Sequence, residues 1–423
     1  MRPARSDAEP VAGLMGSTAL IMATGTAPLM VLSVLGPGII DDLGLSPGQY
    51  GRLSATIFAI AAPMSVVFGA ALAKRGARPY VAVSSVLAAV ACGLLATAHS
   101  GAMLIAFCAV TAVAIGIGNP LTNVLIARST VRSKGQVMGF KQSGVQFSQF
   151  AIGLIAPLLA VVLGWRGATF ALGGMVLLAG LATRISIRST LDRSDGVGPT
   201  VGGRTGRSAD IRLQIYRRPL DVLPLALHTL IFGVIVQSTH AFLPLYGYRE
   251  FSLSLEGVGF LVALVGAAGI VGRLLVGYFA DRLQPRDLYR LLIGSAVGSA
   301  LAMTVFSLSA GQGTVMLAGG AVLYALATLS GNVITMLIVT TQSRPSAVAR
   351  NSGIVAAALS TGFCLGPFVL GSMLESGIAF PDVWWVFAVA AGVATVVIER
   401  QRRVFGRLTD GPMMTEREDL GDG

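Results

Sequence analysis

From residue 14 to residue 399 the sequence is mostly a succession of apolar stretches, each about the 20 residues that a helix needs to cross the hydrocarbon core of a bilayer. Twelve are read: 14–37, 50–73, 80–98, 102–127, 136–163, 167–187, 220–246, 256–280, 288–309, 314–341, 350–374 and 383–399. In lipid a backbone satisfies its polar groups as a helix or as a closed barrel. Unbroken apolar runs of this length lack the two-residue alternation of barrel strands, which leaves the helix. The expected fold class is an all-α integral membrane protein, with twelve transmembrane helices in two pseudo-symmetric six-helix halves. Only 12% of residues are charged and the mean hydropathy is +0.75, whereas soluble domains carry about 25% charge. The first stretch is too long for a signal-peptide core and lacks a small-residue cleavage site, so it reads as a retained helix.

The charge pattern orients the chain. All but five of the 31 basic residues fall in segments on one side of the bilayer if residues 1–13 lie in the cytoplasm. Arg52, Arg166 and Arg249 fall on the other side, and Lys141 and Arg273 fall within spans. By the positive-inside rule both termini are cytoplasmic, in a multi-pass protein of the plasma membrane. The net charge of +11 is then a topology signal. Dispersal of the basic residues over short loops argues against nucleic acid as a partner. Residues 188–218, rich in Gly, Ser and Arg, read as a cytoplasmic linker between a first half (14–187) and a second half (219–400). Residues 401–423 form a cytoplasmic tail.

The halves echo each other in order and at a nearly constant offset. Leu45-Ser46 pairs with Leu253-Ser254, Gly51 with Gly259, Gly69 with Gly277 and Arg78 with Arg286. Gly118-Asn119-x-x-Thr122 pairs with Gly331-Asn332-x-x-Thr335, and Gln142-Ser143-Gly144 with Asn351-Ser352-Gly353. Internal repeats that hold a solute between them near the midplane are the architecture of secondary transporters.

Gly272-Arg273-x-x-x-Gly277-x-x-Ala280-Asp281-Arg282 resembles the signature loop between the eighth and ninth helices of the major facilitator superfamily. Gly69, followed by Ala73-Lys74-Arg75-Gly76-Ala77-Arg78, resembles its copy between helices two and three. More distantly, Gly139-Phe140-Lys141-Gln142-Ser143-Gly144 followed by Gly164-Trp165-Arg166 is similar to bacterial permeases of the cyanate-transporter-like group. The resemblance implies a solute path lined by helices one, four, seven and ten, with five and eleven beside it. It also implies a cytoplasmic gate at Gly277, Asp281, Arg282, Lys74 and Arg78. Ala73 stands where the family has an aspartate, so the expected lock is asymmetric and rests on Asp281. The fifth span lacks the GPxxGG pattern of family antiporters, and Ala112 stands where the fourth usually has an arginine. Both departures weaken the reading as a typical proton-driven drug exporter.

No acid lies deep in a span; Lys141 and Arg273 do. Arg273 precedes Asp281 by eight residues, about 12 Å of helix, and a lone arginine there costs on the order of 3 kcal/mol. A substrate carboxylate offsets that cost through paired hydrogen bonds, as the resemblance to monocarboxylate and oxalate carriers implies. Bonding to helix ends or snorkelling is the other reading. Lys141, one or two turns into its helix, has the same two readings. Gln142, Gln146 and Gln149 share a wedge of about 60° on a helix, continued by Gly153, which must avoid lipid. Asn119 and Asn123, Gln237 and His240, and Asn332 and Thr335 complete the candidate substrate contacts, with interhelical bonding as their alternative. His228 and His240 are candidate proton carriers. The three cysteines, Cys92, Cys108 and Cys364, have no metal or disulfide spacing; no metal site, cofactor, nucleophile–base pair or phosphate-binding loop is expected, and so no enzyme activity. The expected protein is a monomeric secondary transporter of a small, anionic solute, with a coupled proton or an exchanged anion. Its alternatives are an exporter of drugs or neutral metabolites, and a non-transporting membrane sensor.

Overall fold

The computed structural model describes residues 8–75, 77–129, 134–191, 220–280, 283, 285–344 and 346–409. The first half contains α1 (Ala8–Val34), α2 (Gly36–Leu43), α3 (Pro47–Arg75), α4 (Arg78–Ala96), α5 (Gly101–Arg128) and α6 (Lys134–Leu191). The second contains α7 (Leu223–Phe251), α8 (Leu255–Ala280), α9 (Pro285–Ser309), α10 (Thr314–Ala327), α11 (Gly331–Gln342), α12 (Val348–Glu375) and α13 (Phe380–Thr409). Among the described residues there is no strand. Eleven apolar segments are long enough to span a bilayer, and one of them, Gly139–Ile187, runs for 49 residues. It carries two crossings, because Gly164 leaves the helical region at φ 68°, ψ 168°. That left-handed φ disfavours any residue with a Cβ. Twelve crossings result, and the chain turns where the fifth and sixth spans meet in the sequence.

Two spans break before the end that the hydropathy suggests. The first crossing ends at Val34, and the separate short helix α2 begins at Gly36 with Pro37 in its first turn. Gly44, at φ 60°, closes α2 in a left-handed cap. The tenth crossing, expected to be continuous over 314–341, breaks between Ala327 and Gly331. Thr328 and Ser330 lie in this gap, where hydroxyls compete for backbone partners. The Ser330 hydroxyl bonds the Leu326 carbonyl at 3.3 Å, and the Ser299 hydroxyl donates to that of Thr328 at 2.9 Å. The break leaves carbonyls such as that of Leu329 without a helical successor.

Call the face where α1 begins and α13 ends the terminal face, and its opposite the distal face. Within the halves α1 packs on α6, α3 on α5, α7 on α12 and α9 on α13; between them α6 packs on α8 and α3 on α12. Small residues permit these cross-half approaches. A Cβ added at Gly51 of α3 would lie 3.3 Å from the Cα of Gly371 on α12, and one at Gly266 of α8 would lie 2.6 Å from the Phe150 nitrogen on α6. Near the distal face Ser46 bonds Glu375 at 2.6 Å and Arg52 approaches it at 3.4 Å. Deeper, Tyr50 donates to the Leu32 carbonyl at 3.0 Å and to that of Ala241 at 3.3 Å, Ser33 donates to the His240 carbonyl, and Gln237 donates to Ser54 at 3.2 Å. The bonds between halves run from this face as far as Arg273 on α8.

Candidate functional site

Lys141 does not snorkel. It is 2% exposed, and its ammonium turns from α6 onto one turn of α5. There it donates to Asn119 Oδ1 at 3.4 Å, to Thr122 Oγ1 at 3.1 Å and to Asn123 Oδ1. Three acceptors match the three donors of an ammonium. Asn119 and Asn123 are themselves exposed. An amide turned to hydrocarbon would lose its hydrogen bonds, so this side of α5 is one that lipid does not suit. Thr122 is not one of the candidate substrate contacts that the sequence suggests. Its place three residues after Asn119, in the repeated Gly-Asn-x-x-Thr motif, is the signal that would have found it.

Arg273 is half-buried and makes its bonds to backbone. Its Nε donates to the Leu329 carbonyl in the α10–α11 break at 3.1 Å, and its Nη1 donates across the halves to the Gln142 carbonyl on α6. Among the described residues neither Lys141 nor Arg273 pairs with a carboxylate. Both cations are held by neutral oxygens, one on each side of Gln142.

The glutamine stripe faces protein rather than lipid. Gln146 is wholly buried and Gln149 is 3% exposed. A Cβ added at Gly269 of α8 would lie 2.8 Å from the Gln146 Cγ, so this side chain sits enclosed in the α6–α8 seam. Both polar atoms of the Gln146 amide, and Oε1 of Gln149, lack a partner. In the second half Asn332 is half-buried with Oδ1 unpartnered, and Thr335 bonds back to the Gly331 carbonyl at 3.0 Å. Gln237 and His240 line a small cavity with Ser33, Tyr50 and Ser54, nearer the distal face. His240 stands edge-on to Tyr324, ring centroids 6.2 Å apart, and its Nε2 is unpartnered. The structure therefore brings Lys141 together with Asn119 and Asn123, and Arg273 together with Gln142. Gln237 and His240 form a separate group. Of the expected gate, Gly277 is described and has open space around its Cα. Asp281 and Arg282 lie outside the described residues, as do the side chains of Lys74 and Arg78. Among the described residues no cluster of His, Cys, Asp or Glu is arranged to hold a metal.

Two similar six-helix halves of membrane-crossing segments, with Lys141 and Arg273 inside the spans, define a multi-pass membrane protein. The chain belongs to the Major Facilitator Superfamily, whose family model matches residues 14–367. It is similar to an MFS-type efflux pump of Mycolicibacterium smegmatis (strain ATCC 700084 / mc(2)155), with 29% identity over 288 residues. That match covers 64% of this chain and 63% of the length of the relative. In fold it is similar to an inward-facing, unoccupied bacterial homolog of the human lysosomal transporter Spinster, at a TM-score of 0.69 and 15% identity over 95% of this chain and 99% of that one. It is likewise similar to the nucleoside transporter NupG, at a TM-score of 0.68 and 14% identity over 93% and 98%.

Proposed function

We propose that this protein is a secondary active transporter that moves a small, anionic solute across the plasma membrane by alternating access. The terminal face is cytoplasmic on this reading, in keeping with the basic residues of its loops. The carrying observation is that Lys141 and Arg273 lie at the membrane interior with neutral partners, so that interior holds positive charge that a bound anion would complement. Arg273 uses Nε and Nη1 on backbone, and its Nη2 is the group for a carboxylate; Asn119, Asn123 and Asn332 supply further hydrogen bonds. The halves rock about the site, driven by a co-transported proton or an exchanged anion, and the unit is a monomer. A thermal-shift screen of the purified protein tests the solute class. Carboxylates are expected to stabilise the wild type and not Arg273→Ala; stabilisation by lipophilic cations alone overturns the reading.

A second reading, export of neutral or amphipathic compounds, draws on the efflux-pump relative. It predicts that cells expressing Arg273→Ala keep resistance to such compounds.

A further inference from the structure

The α6–α8 seam carries two contacts, one helical turn apart at Gln142 and Gln146 of α6, whose energetics have opposite sign. The Arg273 guanidinium reaches from the second half to the Gln142 carbonyl of the first, and is steadied by the Leu329 carbonyl that the α10–α11 break sets free. A charged donor on a carbonyl in low dielectric is a strong bond. It exists only while α6 stays in register with α8. Gln146 is wholly buried in the same seam, packed towards Gly269 and Leu329, with neither amide atom partnered. A buried amide without partners opposes the arrangement that buries it.

We propose that Arg273 and Gln146 are opposed positioning residues that set how firmly the seam stays shut. Movement of α6 along or away from α8 breaks the Arg273–Gln142 bond and gives the Gln146 amide access to water or to new partners. The loss and the gain offset each other. A carrier needs this, because two conformations of nearly equal free energy interconvert readily, and a seam with Arg273 alone would hold one of them. The inference concerns the protein without solute and stands apart from the anionic-solute reading.

Hydrogen–deuterium exchange on the purified, solute-free full chain tests it, reading residues 142–157 and 259–273 of the seam. The α9–α13 contact, which lies within one half, serves as the internal control. Arg273→Met is expected to raise seam exchange about tenfold, as loss of one charge-assisted bond implies, with the control unchanged. Arg273→Lys, which keeps the charge and reaches one carbonyl, is expected to restore part of the protection. Gln146→Met, of similar volume and without an amide, is expected to lower seam exchange and raise the melting temperature. Seam exchange that rises in Gln146→Met, or that is unchanged in Arg273→Met, overturns the proposal. Should Arg273→Met not fold, Gln146→Met decides alone: lower seam exchange with the α9–α13 control unchanged supports the proposal, and unchanged or higher seam exchange overturns it.

Discussion

The same pair of motifs is built twice and used differently. In the first half Asn119 and Thr122, with Asn123, hold the ammonium of Lys141, which directly precedes Gln142-Ser143-Gly144. In the second half Arg350 precedes Asn351-Ser352-Gly353, yet it is exposed. Asn332 has an unpartnered Oδ1 there, and Thr335 bonds its own helix. The charge of the second half comes instead from Arg273 on α8, which is tied to both halves. The two halves share the scaffold and the acceptors and differ in where the cation sits. On the proposed mechanism, a charge held inside one half travels with it as the halves rock. A charge shared between halves must be released and remade.

Substitutions can break this contrast, and the largest effect belongs to the first-half nest. The double change Asn119→Leu with Asn123→Leu strands a buried ammonium and is expected to cost about 3 kcal/mol, read as the largest fall in melting temperature. Adding Lys141→Met to that pair should recover most of the loss. Lys141→Met alone, which removes the charge together with its need for partners, should cost no more than about 1 kcal/mol. The second-half copy should respond with the other sign. Asn332→Leu removes an unpartnered acceptor and is expected to raise stability by up to about 1 kcal/mol; a fall as large as that of the first-half pair would show that the copies are equivalent. Smallest of all, Arg350→Gln should change the melting temperature and transport very little, within about 0.5 kcal/mol.

The crossings were legible because an apolar run of bilayer length has few alternative fates. Their interruptions were not. The α10–α11 break rests on hydroxyls at Thr328 and Ser330 competing locally with a helix that hydropathy sees as continuous. The consequence, a free carbonyl for Arg273, was therefore hidden as well. Lys141 was ambiguous for another reason: a four-carbon stem reaches an interface or a neighbouring helix equally well, and the acceptors lie on a different span. The inward stripe of glutamines could be read from helical spacing, because amides avoid lipid. Spacing does not distinguish an open cleft from the seam in which Gln146 is enclosed. The expected lock at Asp281 lies outside the described residues.

The single non-helical residue at Gly164 also bears on how the protein is made. With no loop between the fifth and sixth crossings, no stretch of chain can wait in water while the second of them enters the membrane. With the terminal face cytoplasmic, as proposed, the two insert as one hairpin whose tip carries Arg166 through the bilayer. Asp42 and the Ala98 carbonyl, which bind that guanidinium at 2.6 and 2.9 Å, belong to segments synthesised earlier. On the proposed topology the arginine therefore arrives where its partners already stand.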